Sequence, residues 1–209
     1  MAVYVSPTIG GAKVGETKRK IIESSIILFS DKNYSAVTTR DITKAADISP
    51  ATLYCHFASK DDILRMIYFL FEEYLERSRP DIGDLMDEAR SAPPRDVLMR
   101  ANVQFDAQYR ETMDRIVTIA AAECSRDAMS EAFIKKNLID GVWEQMRLLV
   151  DKLVELGRIE PLDVGAFLTL HTNFSYAVVL RSCTSFPVEI DYWRSGIGLL
   201  HELIKPTGR

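Results

Sequence analysis

Val37-Thr-Thr-Arg-Asp-Ile-Thr-Lys-Ala-Ala-Asp-Ile-Ser-Pro-Ala-Thr-Leu-Tyr-Cys-His-Phe57 reads as two short helices joined by a tight turn, and Ala58-Ser-Lys-Asp-Asp62 starts a third at once. Thr38 or Thr39 supplies a capping hydroxyl for the first helix, with Arg40 and Asp41 in its first turn. Ile42 and Ala46 share one face, four residues apart. Asp47-Ile48-Ser49 is the turn, where Asp tolerates a left-handed backbone less easily than Gly. Ser49 caps the second helix and Pro50 takes its first position, where a missing N–H costs nothing. Leu53 and Phe57 form its buried pair, leaving Ala51, Thr52, Cys55 and His56 on the other face. This is a helix-turn-helix, whose second helix is shaped for a DNA major groove.

Thr38-Thr39, Ile42, Ala46, Ile48-Ser49, Thr52-Leu53-Tyr54, His56-Phe57 and Ser59-Lys60-Asp61 together resemble the signature of TetR-type transcriptional repressors, across residues 16–66. Three positions depart from it. Asn33 replaces the Gly common before the aromatic at Tyr34, Thr43 stands where a small Ala is usual, and Asp47 takes the place of the turn Gly. The resemblance implies an all-α dimer: a small three-helix DNA-binding domain, then a larger helical domain for ligand binding and dimerisation. It also implies phosphate contacts from Thr39, Tyr54, His56 and Lys60, and a four-helix dimer interface from the last two helices, residues 163–204.

Charge along the chain agrees with that division. Residues 1–60 hold eight basic and five acidic side chains, whereas the remainder of this chain of net charge −4 holds 18 basic and 25 acidic. A basic end on an acidic body suits a phosphate-facing domain attached to one with another task. Composition is that of a soluble globular protein, at 47% hydrophobic and 27% charged residues. No apolar run approaches a membrane span, and Met1 to Gly15 lacks the order of a signal peptide. Cys55, Cys124 and Cys183 are too far apart for a disulfide framework and suit a reducing cytoplasm. With His56, His171 and His201 they make no metal-ligand spacing, and no cofactor is implied.

The expected order is a mobile arm over 1–15, a DNA-binding domain over 16–58 and a helical domain over 59–209. Lys13, Lys18, Arg19 and Lys20 either reach DNA from the arm or are merely solvated. A first helix spans Glu16 to Ser30. Ser59 caps a long helix to about Ser78, stopped by Pro80. Residues 81–96 are a loop with one short helical piece. A helix after Pro94 is expected through Val97, Leu98, Ala101, Phe105 and Tyr109, then one capped by Thr112, then one long helix from Met129 to Leu156. Gly157 ends that helix in the left-handed position. Asp163 caps the next, and Pro187 opens the last, where Gly196 and Gly198 point to a close helix–helix approach. No strand pattern is evident.

Candidate DNA contacts are Thr38, Thr39, Arg40, Ser49, Pro50, Ala51, Thr52, Tyr54, Cys55, His56 and Lys60. Ala51 and Thr52 can touch thymine methyls, and no Arg or Gln is placed for a bidentate base contact. Tyr54 and His56 either hold phosphates, which set register rather than sequence, or plug the motif into the next helix. Cys55 is a solvent-facing filler or a redox sensor. In the larger domain Phe69, Phe105, Tyr109, Met113, Met146, Phe167, His171 and Phe174 are core residues first. The resemblance implies that some of them line a pocket for a small apolar or aromatic ligand. His171, Asn173 and Tyr176 either orient that ligand or bond across the dimer interface. A DNA-binding module governed by a protein partner, with a filled core, is the alternative. No nucleophile motif, phosphate loop or metal cluster points to an enzyme.

Overall fold

The computed structural model describes residues 3–6, 8–9, 12–102, 107–161, 163–182, 196, 198 and 204–207. Its elements follow local chemistry. Two-residue strands β1 (Thr8–Ile9) and β2 (Ala12–Lys13) pair antiparallel, Thr8 opposite Lys13. This corrects the expectation of no strand, and Gly10-Gly11 in the sequence is a hairpin signal. Helix α1 (Glu16–Lys32) buries Ile21, Ile22, Ile26 and Phe29, the face its periodicity marks. A 3-10 turn (Tyr34–Ala36) leads into α2 (Thr39–Ala46) and α3 (Pro50–His56). Helix α4 (Lys60–Ser78) is the expected long helix, and the Ser59 hydroxyl accepts the Asp62 N–H at 3.1 Å.

Helix α5 (Ile82–Glu88) is the short piece expected in the polar loop, capped by Asp81, whose carboxylate accepts from Gly83 and Asp84. Helix α6 (Pro94–Arg100) starts where expected but does not run on to Tyr109. The Asn102 amide donates to the Leu98 carbonyl at 2.9 Å, satisfying a helix-end acceptor. Tyr109 belongs instead to α7 (Ala107–Glu123). Thr112 lies within α7 and caps nothing, because its hydroxyl is used by the N-terminal segment. The single helix expected over 129–156 is three pieces: α8 (Ala128–Ile134), a π-helical segment (Lys135–Asp140) and α9 (Gly141–Glu155). The Gly141 N–H bonds the Lys136 carbonyl, five residues back, and a Cβ on Gly141 would lie 3.0 Å from that oxygen. Gly157, at φ +63°, ends α9 as expected. Asp163 caps α10 (Val164–Ser182), accepting from Ala166 at 2.9 Å. The helix expected after Pro187 lies outside the described residues apart from Gly196, Gly198 and Ile204.

The described chain forms two compact units, Met1–Arg77 with Phe105–Phe133, and Ser78–Gln104 with Ile134–Arg209. In the first, α1 packs on α2 and α7. Residues 4–6 are docked there, which corrects the expectation of a mobile arm for this part of it. Val5 is fully buried. The Thr112 hydroxyl accepts from the Tyr4 N–H at 2.8 Å and donates to the Tyr4 carbonyl at 3.0 Å, and the Tyr74 hydroxyl accepts from Ser6 N–H at 2.7 Å. An extended segment with its polar groups satisfied and its side chain buried has no reason to leave. Deeper in this unit Ser130 donates to Asp127 at 2.6 Å, so the Tyr68 hydroxyl must be the donor to Ser130 at 2.7 Å.

The second unit is built on Leu85, Val97, Leu98, Met146, Leu149, Val150, Leu153, Phe167 and Leu168. Arg158 donates to the carbonyls of Arg90, Ser91 and Ala92, the orphan acceptors after α5. Ile159 bridges to Pro206, with Glu160 N–H bonded to the Lys205 carbonyl at 2.9 Å. A Cβ on Gly196 would fall 1.9 Å from Cζ of Phe174, so the close approach expected from the glycine is present.

Candidate nucleic-acid interface

The turn that aims α3 is assembled from local bonds. Thr38, not Thr39, caps α2: its hydroxyl accepts the Asp41 N–H at 3.2 Å and donates to Asp41 Oδ2 at 2.6 Å, while Thr38 N–H donates to the same carboxylate at 2.9 Å. These bonds hold the Asp41 carboxyl below its ordinary pKa. Asp47 closes α2 in the left-handed region, φ 54° and ψ 52°. Ile48 N–H returns to the Thr43 carbonyl at 3.0 Å, a Schellman closure with Asp in the usual glycine place. Thr43, the second departure from the family pattern, is 5% exposed, and its hydroxyl is spent on the Arg40 carbonyl at 3.0 Å.

Helix α3 then presents a sharply two-sided surface. Leu53 is fully buried and Phe57 nearly so. Pro50, Ala51, Tyr54, Cys55 and His56 are exposed, Tyr54 at 55%, and Cys55 is a free thiol. Thr52 is half-buried. Its backbone N–H donates to the Ser49 hydroxyl at 3.1 Å, and the two hydroxyls bond each other at 2.8 Å. That pair uses one hydroxyl proton and leaves one, and the Thr52 methyl stays free for apolar contact. Arg40 is exposed and Thr39 half-buried on α2.

Lys60, the first residue of α4, has its bonds within the protein. Its ammonium turns inward, donating to the carbonyls of Tyr34 and Val37 at 2.8 Å each, 4.0 Å above the Tyr34 ring centroid. The Tyr34 hydroxyl in turn donates to Asp61. In the sequence Tyr34 stands out only as the aromatic that follows Asn33. Its partners lie 26 and 27 residues on, beyond any local pattern.

The ligand candidates fall in both compact units. Tyr109 and Met113 are on α7 in the first, Tyr109 packed edge-on to Tyr4 at 5.4 Å and tilted on Tyr74 at 4.4 Å. Phe69 is 44% exposed on α4. Met146 and Phe167 sit in the core of the second unit. His171 is fully buried, its ring centroid 6.1 Å from that of Phe167, and burial lowers its pKa to about 4. Phe174 packs over Gly196. Asn173 is exposed. Phe105 and the side chain of Tyr176 lie outside the described residues. Among the described residues no group of His, Cys, Asp and Glu is placed to hold a metal ion, and no helix is long and apolar enough to cross a membrane.

The profile of the bacterial regulatory proteins of the tetR family matches residues 21–67, the stretch from α1 into α4. The uncharacterized HTH-type transcriptional regulator YerO of Bacillus subtilis (strain 168) is 31% identical over 101 residues, 48% of this chain and 33% of that one. The biofilm operon icaADBC HTH-type negative transcriptional regulator IcaR of Staphylococcus epidermidis is 38% identical over 68 residues, 31% of this chain and 37% of that one. The aligned part thus spans about a third of the length of these relatives. Solved structures match over nearly the whole fold. The reduced form of E. coli NemR has a TM-score of 0.62 at 13% identity, covering 93% of this chain and 100% of that one. The TetR family regulator PfmR of Thermus thermophilus has 0.60 at 20%, covering 90% and 99%. The helix-turn-helix signature and the family profile agree over residues 21–67, and the helical architecture is similar to that of solved regulators of the TetR family.

Proposed function

We propose that the chain is a dimeric repressor that binds a palindromic operator and is released from it by a small ligand. The observation that carries this reading is the exposed row Pro50, Ala51, Tyr54, Cys55 and His56 on α3, sealed from below by Leu53 and Phe57. Residues 16–58 read DNA. Ala51 and Thr52 meet base edges, and Thr39, Arg40, Tyr54 and His56 meet phosphates. Dimerisation through residues 163–204 sets the two α3 helices about 34–36 Å apart, in successive major grooves. A small apolar or aromatic ligand held among the helices of 59–209 tilts α4 and changes that spacing. Its power to switch equals its differential affinity for the two arrangements. The protein works in the cytoplasm and catalyses nothing. Met146 and Phe167, 2% and 3% exposed in a packed core, favour a second reading in which a protein partner replaces the ligand.

Selection of random duplex DNA on the purified protein, sequenced at moderate salt, tests the first reading. An enriched palindrome lost in the Thr52→Ala, Tyr54→Ala double variant supports it. Absence of enrichment even at low salt refutes it.

A further inference from the structure

We propose that Lys60 is a positioning residue: it pins the lead-in of α2 to the first turn of α4 by gripping Tyr34, and it holds no phosphate. This rests on the reading of α3 as a DNA-binding helix. An ammonium has three donors and no acceptor. Two of those of Lys60 go to the carbonyls of Tyr34 and Val37 at 2.8 Å, and the charge lies 4.0 Å over the Tyr34 ring. The next residue, Asp61, accepts the Tyr34 hydroxyl. Two consecutive residues of α4 therefore hold one turn residue by its ring face, its carbonyl and its hydroxyl. The Tyr34 ring also packs edge-on against Phe29 of α1 at 4.9 Å.

What is gripped matters for recognition. Val37 is 2% exposed and immediately precedes Thr38, the cap of α2. The point held by Lys60 is thus one peptide from the start of the helix-turn-helix. A shift of the first turn of α4 moves that point directly, without passing through a side-chain core. Burial disfavours the ammonium, and the carboxylates of Asp61 and of Glu123, 3% exposed at the end of α7, oppose this. A lysine serving phosphate would keep its head in water; this one is half-buried and turned to backbone.

The test uses the full chain, Lys60→Met and Lys60→Arg, with two readouts. The first is operator affinity across a salt series, on the duplex enriched above. Each phosphate contact adds about 0.9 to the slope of log K against log salt. Pinning predicts a loss of about tenfold in both variants, the order of one charged hydrogen bond, at unchanged slope. A slope lower by about 0.9 in Lys60→Met, with Lys60→Arg near wild type, would overturn the proposal. The second readout, hydrogen exchange, needs no DNA. Faster exchange over residues 38–46 with α9 unchanged is expected, and unchanged exchange over 38–46 overturns the pin even if no duplex is ever enriched. Failure of the wild type to enrich DNA strikes the DNA-binding reading alone. If Lys60→Met does not fold, Lys60→Arg carries both measurements.

Discussion

Asn33→Gly is expected to stabilise the protein. Asn33 ends α1 at φ 66° and ψ 145°, a region that essentially only glycine occupies freely and that costs other residues about 1–3 kcal/mol. Its side chain is exposed, so the substitution removes no packing. Against the relief stands the greater freedom of glycine in the unfolded chain, about 0.5–1 kcal/mol. The balance is a gain of about 1 kcal/mol, which for a chain of this size raises Tm by about 2–4 °C. Asp47 has φ 54° and ψ 52°, the left-handed helical well that Asp tolerates. Asp47→Gly should therefore gain less than Asn33→Gly. Asn33→Ala should lose stability, since Ala adopts a positive φ less readily than Asn. Scanning calorimetry of the three variants measures the order. Asn33→Gly no more stable than wild type, with Asn33→Ala equal to it, would refute the claim of strain at residue 33.

Four further outcomes are expected. Burial holds the folded pKa of His171 near 4 against an ordinary 6.5; stability should be full above pH 6.5 and fall as pH drops toward 4, by at most about 3 kcal/mol. Urea titrations from about pH 7.5 to about pH 4 should show that slope, flattened in His171→Gln. Thr112→Val removes both partners of the Tyr4 backbone and should cost about 1–3 kcal/mol, read as faster proteolysis ahead of residue 7. Tyr54→Ala should weaken binding to all duplexes alike, whereas Thr52→Ala should change base preference; the two variants showing the same loss in a competition assay would contradict that division. Gly196→Ala drives a methyl into the Phe174 ring, and calorimetry should show a loss of about 1–3 kcal/mol.

Much of the candidate site is legible in the sequence because its determinants are local. The caps at Ser49 and Asp163, proline at the first position of α3, the left-handed Asp47 and the Leu53–Phe57 pair all act within five residues, so spacing alone reveals them. The bonds of Lys60 are hidden from the sequence for the opposite reason. Its position in a known signature suggests a phosphate, yet its partners are backbone carbonyls more than twenty residues earlier. Thr112 misleads likewise: a threonine before an apolar run resembles a cap, but its bonds go to Tyr4, 108 residues away.

The sequence by itself determined the helical class, the helix-turn-helix and its exposed face, because helix periodicity, capping and turn chemistry are short-range and written residue by residue. Tertiary structure alone decided that residues 4–6 dock on α7, that Phe69 faces outward while Met146 and His171 are buried, and that Lys60 joins α4 to the lead-in of α2. Those outcomes depend on which surfaces meet after long loops close, and no local pattern encodes the partner of a hydroxyl or an ammonium at such distance.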